Sequence, residues 1–328
     1  MEDIRSFLES LKLGRRQSHE NLQVFPLMAP QSSSPDYLIL EEALAEGCVC
    51  ITELSEGGSV PELRLFNDSP KALLIVEGEE LVGAKQNRIV NATFLVPGKT
   101  ELVIPVSCVE QGRWHYKTRS FHSGGKVMHA SLRRVGQKAV GENLASERSY
   151  RSDQGMIWSE LNRKVKRMSV DAPTGAMADL FECYRDRLEA FTKAFSLVDC
   201  QVGAVFALNG LIAGMECFFH QATFGKFFGK LIESYALDAL DYRLPKEDKA
   251  PYLEDPKPFL QRLKEARPRE YPTLGLGRSL RIKGESFFGA ALVEEGKVLH
   301  MNVFADQESL VGRKAGFQRF SERARRAR

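Results

Sequence analysis

The sequence lacks the short motifs that identify the common enzyme classes. It contains no GxSxG nucleophile elbow, no Walker A loop, no GxGxxG dinucleotide loop and no HExxH zinc motif. The stretch around Gly275 and Gly277 is too loosely spaced to form a dinucleotide loop. Local motifs therefore assign this chain to none of the serine hydrolases, P-loop enzymes, dinucleotide-binding enzymes or zinc proteases.

Long apolar runs are also missing. No segment approaches the roughly 18 consecutive apolar residues that a membrane-spanning helix needs. The first residues are acidic and lack the apolar centre of a signal peptide. The composition, 43% hydrophobic and 27% charged, is that of a soluble globular protein. We therefore expect a cytoplasmic protein that makes no membrane contact.

Cysteine and histidine do not occur in metal-binding patterns. The six cysteines include no CxxC pair, and a disulfide framework is not expected in a long chain without a secretory signal. Cys108 could be acidified by a nearby Arg88, but its apolar neighbours favour a buried, inert thiol. His115, His122 and His129 recur every seven residues, yet the glycines among them would break a helix. No metal site is predicted, and no cofactor is assigned.

Charge is distributed unevenly. The net charge is +3, but Gly312–Arg328 contains seven basic residues and one acidic residue, so the other 311 residues sum to −3. Nucleic-acid binding by the body of the protein is therefore not expected. The basic tail is either a disordered or docking segment or a site for RNA or another anionic partner.

The order of the periodic segments predicts an α+β fold with antiparallel sheets. Asn209-Gly210 between two apolar runs is a strong hairpin signal, and Leu276–Phe304 has the pattern of a three-stranded meander. A helical block from about Lys126 to Phe195 separates the strand-rich parts, and we expect its helices to pack on the sheets.

The same pattern suggests a domain organisation. Residues 1–21 are predicted to contain an N-terminal helix, 22–311 to form the main α+β domain, and 312–328 to be the basic tail. The segment at 169–179 has the composition of a linker and is the candidate position for a sub-boundary. A continuous helix is predicted from Phe181 to Phe195, because apolar residues recur at three-four spacing.

A second hairpin is predicted at Pro97–Thr100, a four-residue turn between β-rich runs. Pairing Val96 with Glu101 would place Asn91 opposite Val106 and Asn87 opposite Glu110. Asn91 would then be the polar member of an apolar face. It must make buried hydrogen bonds or line a site.

The segment VEGEELVGAKQNRIVN, Val76 to Asn91, concentrates charged and amide groups between two apolar strands. Its glutamates could serve as acid and base, or hold a divalent ion. Arg88 could bind a phosphate or carboxylate through two nitrogens, and Lys85 could act as a point charge. The alternative is that these groups solvate a turn and form surface ion pairs.

Two long stretches, LLIVEGEELVGAKQNRIVNATFLVP and TELVIPVSCVEQGRW, together with the later QVGAVFALNG and ESYALDAL, resemble one family. It is the ARPP domain, the ARG and rhodanese-phosphatase-superfamily-associated protein domain, a bacterial family of unestablished activity. The resemblance extends from about Leu22 to Phe304. It implies a context of NAD and ADP-ribose metabolism and an ADP-ribosylglycohydrolase-type partner. Its signature residues are Glu79, Glu80, Lys85, Gln86, Asn87, Arg88, Asn91, Cys108, Glu110 and Trp114.

These observations lead to two hypotheses. In the first, the protein is an enzyme acting on a nucleotide-, ADP-ribose- or sugar-phosphate-like metabolite. In the second, it is a non-catalytic scaffold or ligand-binding module that partners ADP-ribose-processing enzymes. The candidate catalytic residues are Glu79, Glu80 and Glu110, and the candidate ligand-binding residues are Lys85, Gln86, Asn87, Arg88, Asn91 and Trp114.

Overall fold

A computed structural model describes residues 2–30, 33–243 and 253–306 of the chain. They divide into two compact units, each formed from separate parts of the sequence. Within the described residues, unit 1 comprises 2–34, 184–270 and 279–306 with the gaps noted, and unit 2 comprises 35–183 and 271–278. No helix among these residues is long and apolar enough to cross a membrane.

The described residues form eight helices and eighteen strands. The helices are α1 (Glu2–Ser10), α2 (Leu40–Ala45), α3 (Ala130–Glu147), α4 (Gln154–Arg167), α5 (Met177–Cys183), α6 (Arg185–Ala194), α7 (Gln221–Asp241) and α8 (Pro256–Glu265). The strands are β1 (Lys12–Leu13), β2 (Gln17–His19), β3 (Leu22–Met28), β4 (Tyr37–Ile39), β5 (Val49–Glu53), β6 (Glu62–Asn67), β7 (Ala72–Ile75), β8 (Glu79–Gly83), β9 (Arg88–Val90), β10 (Phe94–Val96), β11 (Thr100–Cys108), β12 (Phe121–Val127), β13 (Gln201–Leu208), β14 (Leu211–Phe218), β15 (Arg269–Tyr271), β16 (Arg278–Lys283), β17 (Phe287–Glu294) and β18 (Lys297–Ala305).

Unit 1 is built on a nine-stranded sheet in the order β1-β3-β13-β14-β18-β17-β16-β15, with β2 paired to β3. Two tight turns set its register. Asn209 and Gly210 both have positive φ, as do Glu295 and Gly296, which fits the right-handed twist of the strands they join. The predicted Asn209-Gly210 hairpin and the C-terminal meander are therefore confirmed.

Helices cover the sheet of unit 1. The long helix α7 buries one aromatic face against β13, where the Tyr235 ring stacks on Phe206 at 3.9 Å between centroids. A second apolar cluster includes Leu8 of α1 and Leu263 of α8 together with Met301 of β18. Burying large side chains of this kind contributes about 1.5–3 kcal/mol each, so the packing of these helices fixes the unit. The α+β fold class is confirmed.

Unit 2 contains a six-stranded sheet, in the order β12-β8-β9-β11-β6-β5, and a three-stranded sheet, β10-β7-β4. Its core packs residues from both sheets with residues of α2 and α3, among them Leu40, Ile75, Val90, Ile104 and Val140. The pairs are antiparallel except β4 with β7, which run parallel. The sheet that contains β8 and β9 positions the polar segment described above.

The predicted hairpin at Pro97–Thr100 is wrong. β10 pairs with β7, and β11 pairs with β6 and then β9, so the two strands enter different sheets. The turn bonds instead to the 67–71 segment, because Asn67 donates to the Pro97 carbonyl and Lys99 N–H donates to the Ser69 carbonyl, both at 3.0 Å. A turn does form at 98–99, but tertiary hydrogen bonds give its flanking strands other partners.

The predicted register is consequently displaced by one residue. Val106 lies opposite Val90 rather than Asn91, and Cys108 lies opposite Arg88. A shift of one residue exchanges the faces of a strand, so Arg88 and Cys108 share a face. Asn87 nevertheless lies against Glu110, whose carboxylate accepts the Asn87 backbone N–H at 3.1 Å.

One helix prediction also needs correction. The continuous helix from Phe181 to Phe195 is interrupted at Tyr184, and Phe195 is extended beyond the end of α6. The helix predicted within residues 1–21 is α1, which ends at Ser10 and is followed by two short strands. The candidate sub-boundary at 169–179 lies within unit 2, and the chain passes to unit 1 after Cys183. The basic tail at 312–328 lies outside the described residues.

Candidate functional site

The signature segment forms the antiparallel pair β8–β9 and the turn between them. Glu80 lies opposite Ile89 and Leu81 lies opposite Arg88, so Glu80 and Arg88 point to opposite faces of this ladder. The turn requires positive φ at Gly83, and a Cβ there would clash with the Ser120 carbonyl. None of these side chains is displayed on an open surface, because each residue from Glu79 to Asn91, except Val82, is buried.

Arg113 connects the turn to the loop after β11. Its guanidinium donates to the carbonyls of Gly83 and Ala84, to the Asn87 side chain and to the Glu110 carboxylate at 2.6 Å. Burial alone would raise the pKa of Glu110. The bonds from Arg113 and from Asn87 N–H outweigh it and lower that pKa below its ordinary value. Glu110 is therefore an ionised carboxylate whose oxygens are fully engaged, since Thr174 donates to its second oxygen at 3.1 Å.

Arg88 is a buried cation with few bonds. Its Nη1 donates to the Gln86 side chain at 2.8 Å, but Nε and Nη2 have no hydrogen-bond partner. The Glu53 carboxylate lies 3.8 Å from Nη2, which is too long for a good hydrogen bond, and its Oε2 has no partner either. Burial lowers the pKa of Arg88 below its ordinary value, although Cys108 and Glu53 oppose this effect.

Lys85 lies between two exposed aromatic rings. Its Nζ is 5.3 Å from the centroid of Trp114 and 5.1 Å from that of Tyr116, and it donates to the Gly57 carbonyl at 2.9 Å. The Trp114 ring also lies 5.7 Å from the Arg88 guanidinium. Trp114 and Tyr116 are 46% and 41% exposed, which is unusual for large aromatic side chains and places them at the entrance to both cations.

Glu80 differs from its neighbouring carboxylates. It is 2% exposed, and its Oε1 has no hydrogen-bond partner. Burial is the main reason that its pKa rises to about 7, and the charges of Glu110 and Asp179 add to this, whereas Lys126 and the Asn87 side chain oppose it. Burial and Glu110 likewise raise the pKa of Asp179. Glu80 therefore exchanges a proton near neutral pH.

The other predicted site residues form hydrogen bonds with other groups of unit 2. The Glu79 carboxylate accepts the Val76 backbone N–H at 2.7 Å. Asn91 donates to the Tyr150 carbonyl and accepts from Ser107. Its buried amide is therefore satisfied by hydrogen bonds, the first of the two predicted alternatives. Gln86 donates to the Glu110 carbonyl at 3.0 Å. The structure thus connects Gln86, Asn87, Arg88 and Glu110 through hydrogen bonds, whereas Glu79 and Asn91 bond to other groups.

Cys108 is buried, as expected. Burial raises the pKa of its thiol despite the nearby Arg88, so it is a poor nucleophile. Among the described residues, no group of three or more His, Cys, Asp or Glu side chains is arranged to hold a metal ion.

Sequence reasoning missed four residues of this network: Glu53, Tyr116, Lys126 and Asp179. Glu53, Lys126 and Asp179 are each brought in by a strand pairing or helix packing far along the chain. The exposed aromatic pair at Trp114 and Tyr116, two residues apart in a polar segment, was the signal that could have found Tyr116.

The comparisons with known proteins agree with the resemblance noted in the sequence. A family model described as the ARG and Rhodanese-Phosphatase-superfamily-associated Protein domain matches residues 10–304, which includes parts of both units. No curated protein and no solved structure matches the chain. The predicted family is therefore confirmed, and the chain belongs to the ARG and Rhodanese-Phosphatase-superfamily-associated Protein domain family.

Proposed function

We propose that unit 2 binds a small anionic metabolite of the nucleotide-, ADP-ribose- or sugar-phosphate type, with Lys85 and Arg88 as the anion-binding residues. The observation that carries this proposal is the Arg88 guanidinium, which is fully buried while two of its nitrogens lack hydrogen-bond partners. Leaving a buried polar group unsatisfied costs about 1–3 kcal/mol, and more when the group is charged. An oxyanion would supply the missing acceptors.

The surroundings of Arg88 suit a ligand that has a ring as well as an anion. Trp114 and Tyr116 offer exposed aromatic faces, and aromatic stacking contributes about 1–3 kcal/mol for each nucleobase in known complexes. Because Lys85 lies against the same two rings, a phosphate at Lys85 and Arg88 would hold an attached base or sugar beside them. Gln86, Asn87 and Asn91 support this site through their hydrogen bonds.

The second candidate function is a non-catalytic binding module that partners ADP-ribose-processing enzymes. One observation favours it: of the three carboxylates expected to be catalytic, Glu79 and Glu110 are engaged with backbone N–H groups or with Arg113. Only Glu80 keeps an oxygen without a partner. Catalysis by unit 2 would therefore depend on Glu80, on the opposite face of the ladder from Arg88, for proton transfer.

The test uses ADP-ribose, NAD, ribose 5-phosphate and inorganic phosphate as separate probes. Both tryptophans of the chain, Trp114 and Trp158, belong to unit 2, so tryptophan fluorescence reports on this unit alone. We expect a fluorescence change and a thermal stabilisation. A ligand at 100 times its Kd adds about 2.7 kcal/mol to the free energy of unfolding.

Arg88→Met and Lys85→Met should abolish this stabilisation. Arg64→Met is the matched control, because Arg64 belongs to the same unit but is exposed and paired with Glu101. Stabilisation that survives in Arg88→Met, or disappears in Arg64→Met, would contradict the site. If binding is found and no probe is converted during prolonged incubation, the binding module is the better description.

A further inference from the structure

A β-bulge interrupts the β8–β12 ladder directly beside Glu80. Ser123 lies opposite Leu81 and Val127 lies opposite Glu79, so three residues, 124–126, occupy the place of one opposite Glu80. Gly125 has a positive φ of 66°. A Cβ on Gly124 would lie 2.6 Å from Glu80 Oε2, so a larger residue at this position would force the carboxyl group to move.

The charges around Glu80 come from three separate elements. Glu110 follows β11, Lys126 lies in the bulge of β12, and Asp179 lies in α5. Glu110 is held ionised by Arg113, so its negative charge is permanent near neutral pH. Lys126 and Asp179 are half-buried and extend this group of charges towards solvent.

The adjacent Glu79 shows that this arrangement is specific to Glu80. Both residues are 2% exposed and lie on the same strand. The Glu79 carboxylate closes the preceding turn through the Val76 N–H, which accounts for its burial. Glu80 Oε1 makes no such bond, so one oxygen of this carboxyl group is buried without a hydrogen-bond partner near the Glu110 charge.

We propose that Glu80 is the proton donor and acceptor of an acid–base site in unit 2, entered beside residues 124–126. The substrate group is an uncharged oxygen or nitrogen that receives a proton as its bond to carbon or phosphorus breaks, or loses one as it attacks. Glu80 is the group that would touch the substrate, whereas Glu110 and Asp179 act through it by maintaining its proton affinity. This proposal does not rest on anion binding at Arg88, which lies on the opposite face of the ladder.

Modification by a carbodiimide tests whether a small molecule reaches the Glu80 carboxyl group and whether that group carries a proton near neutral pH. To react with diisopropylcarbodiimide, a carboxyl group must give its proton to a nitrogen of the reagent, and its oxygen must then add to the central carbon. The resulting O-acylisourea rearranges to a stable N-acylurea that peptide mass spectrometry locates. We expect Glu80 to be modified in preference to Glu79 and Glu110, and the rate to fall with rising pH around a midpoint of about 7.

Two substitutions at half-buried positions should move that midpoint in opposite directions. Asp179→Asn removes a negative neighbour and should lower it, whereas Lys126→Met removes a positive neighbour and should raise it. Asp171→Asn is the matched control, because Asp171 is exposed and does not act on Glu80 itself. Tryptophan fluorescence confirms that each variant is folded.

Three results would overturn the proposal that Glu80 is an acid–base group. Failure of the folded protein to be modified at Glu80 would show that no small molecule reaches the carboxyl group. A midpoint near the ordinary glutamate value of about 4.3 would show that the group is ionised at neutral pH. Identical midpoints in Asp179→Asn and Lys126→Met would remove the electrostatic basis. Any of these results overturns the proposal.

Discussion

The two buried arginines of unit 2 should respond to substitution in very different ways. Arg113 donates hydrogen bonds to four different residues of its surroundings besides His115, and it is the ion-pair partner of Glu110. Arg88 makes one hydrogen bond and has a carboxylate at 3.8 Å. If Arg88 binds a ligand, the ligand-free protein already tolerates an unsatisfied charge there, and its loss should cost little.

The magnitudes follow from these contacts. Arg113→Met leaves the Glu110 carboxylate buried without its cation, a change that typically costs 3–5 kcal/mol. Arg88→Met loses a bond to Gln86 worth about 1.5–3 kcal/mol, but it also removes two unsatisfied nitrogens that each cost about 1–3 kcal/mol. These contributions together range from a net loss of about 1 kcal/mol to a net gain of about 4.5 kcal/mol, so Arg88→Met should destabilise unit 2 by no more than about 1 kcal/mol.

Urea denaturation at pH 7, followed by tryptophan fluorescence, measures these changes in unit 2. The comparison of midpoints is valid when the slopes of the two variants agree, because the slope reports the surface exposed on unfolding. A loss of 3 kcal/mol or more in Arg88→Met, equal to that in Arg113→Met, would refute the reasoning. Arg88 would then be a structural residue, and the proposed anion site would lose its main support.

Three further predictions test the local structure. Glu80 has a pKa of about 7 in the folded state against 4.5 as its reference value, so the folded state binds the additional proton between these values. The stability of unit 2 should therefore fall by up to about 3 kcal/mol as pH rises from 4.5 to 7, and Glu80→Gln should flatten this slope in urea titrations. Asp153→Ala removes the N-cap of α4, so fluorescence-monitored unfolding should show a loss of about 1 kcal/mol, and an unchanged midpoint would contradict the cap. Asn209→Val forces a β-branched residue to positive φ and also removes the side-chain hydrogen bonds with Asn21 and Tyr242, whereas Asn209→Gly removes only those bonds, so circular dichroism should show a lower thermal midpoint for Asn209→Val than for Asn209→Gly.

Local signals predicted the parts of the fold that depend on local chemistry. Asn209-Gly210 specifies its turn because both residues adopt positive φ, and Glu295-Gly296 does the same in the predicted C-terminal meander. In each case the stabilising contact lies within a few residues of the signal.

Strand partners could not be predicted in this way. The Pro97–Thr100 turn fits a hairpin, but β10 pairs with β7 at the edge of the three-stranded sheet, where Phe94 and Val96 are fully buried. That advantage depends on β4 and β7, which are distant in sequence. The hairpin signal was therefore outweighed by burial that no local pattern describes.

The candidate site was predicted only in part, because it too depends on contacts between residues distant in sequence. Lys85, Arg88 and Glu110 stood out because charged residues are rare between buried strands. Their roles depend on groups that the fold brings from elsewhere, such as Glu53 on β5 beside Arg88 and Asp179 on α5 near Glu80. Only these neighbours in the fold show that the Glu110 carboxylate is fully hydrogen-bonded, whereas Glu80 keeps an oxygen without a partner.

Glu110 connects the two faces of the ladder, and this connection has a measurable consequence. Its carbonyl accepts from Gln86, which in turn accepts from Arg88, while its carboxylate charge raises the pKa of Glu80. An anion bound at Arg88 adds negative charge to the same network, so it should raise the proton affinity of Glu80.

By linkage, protonation of Glu80 must then tighten anion binding by the same factor. Sulfate tests this coupling, because its own charge is constant between pH 6 and 8. Its affinity, measured by tryptophan fluorescence, should be higher at pH 6, and Glu80→Gln should remove the difference. If sulfate binds wild type equally at both pH values while still binding at Arg88, the two faces act independently and Glu110 serves each of them separately.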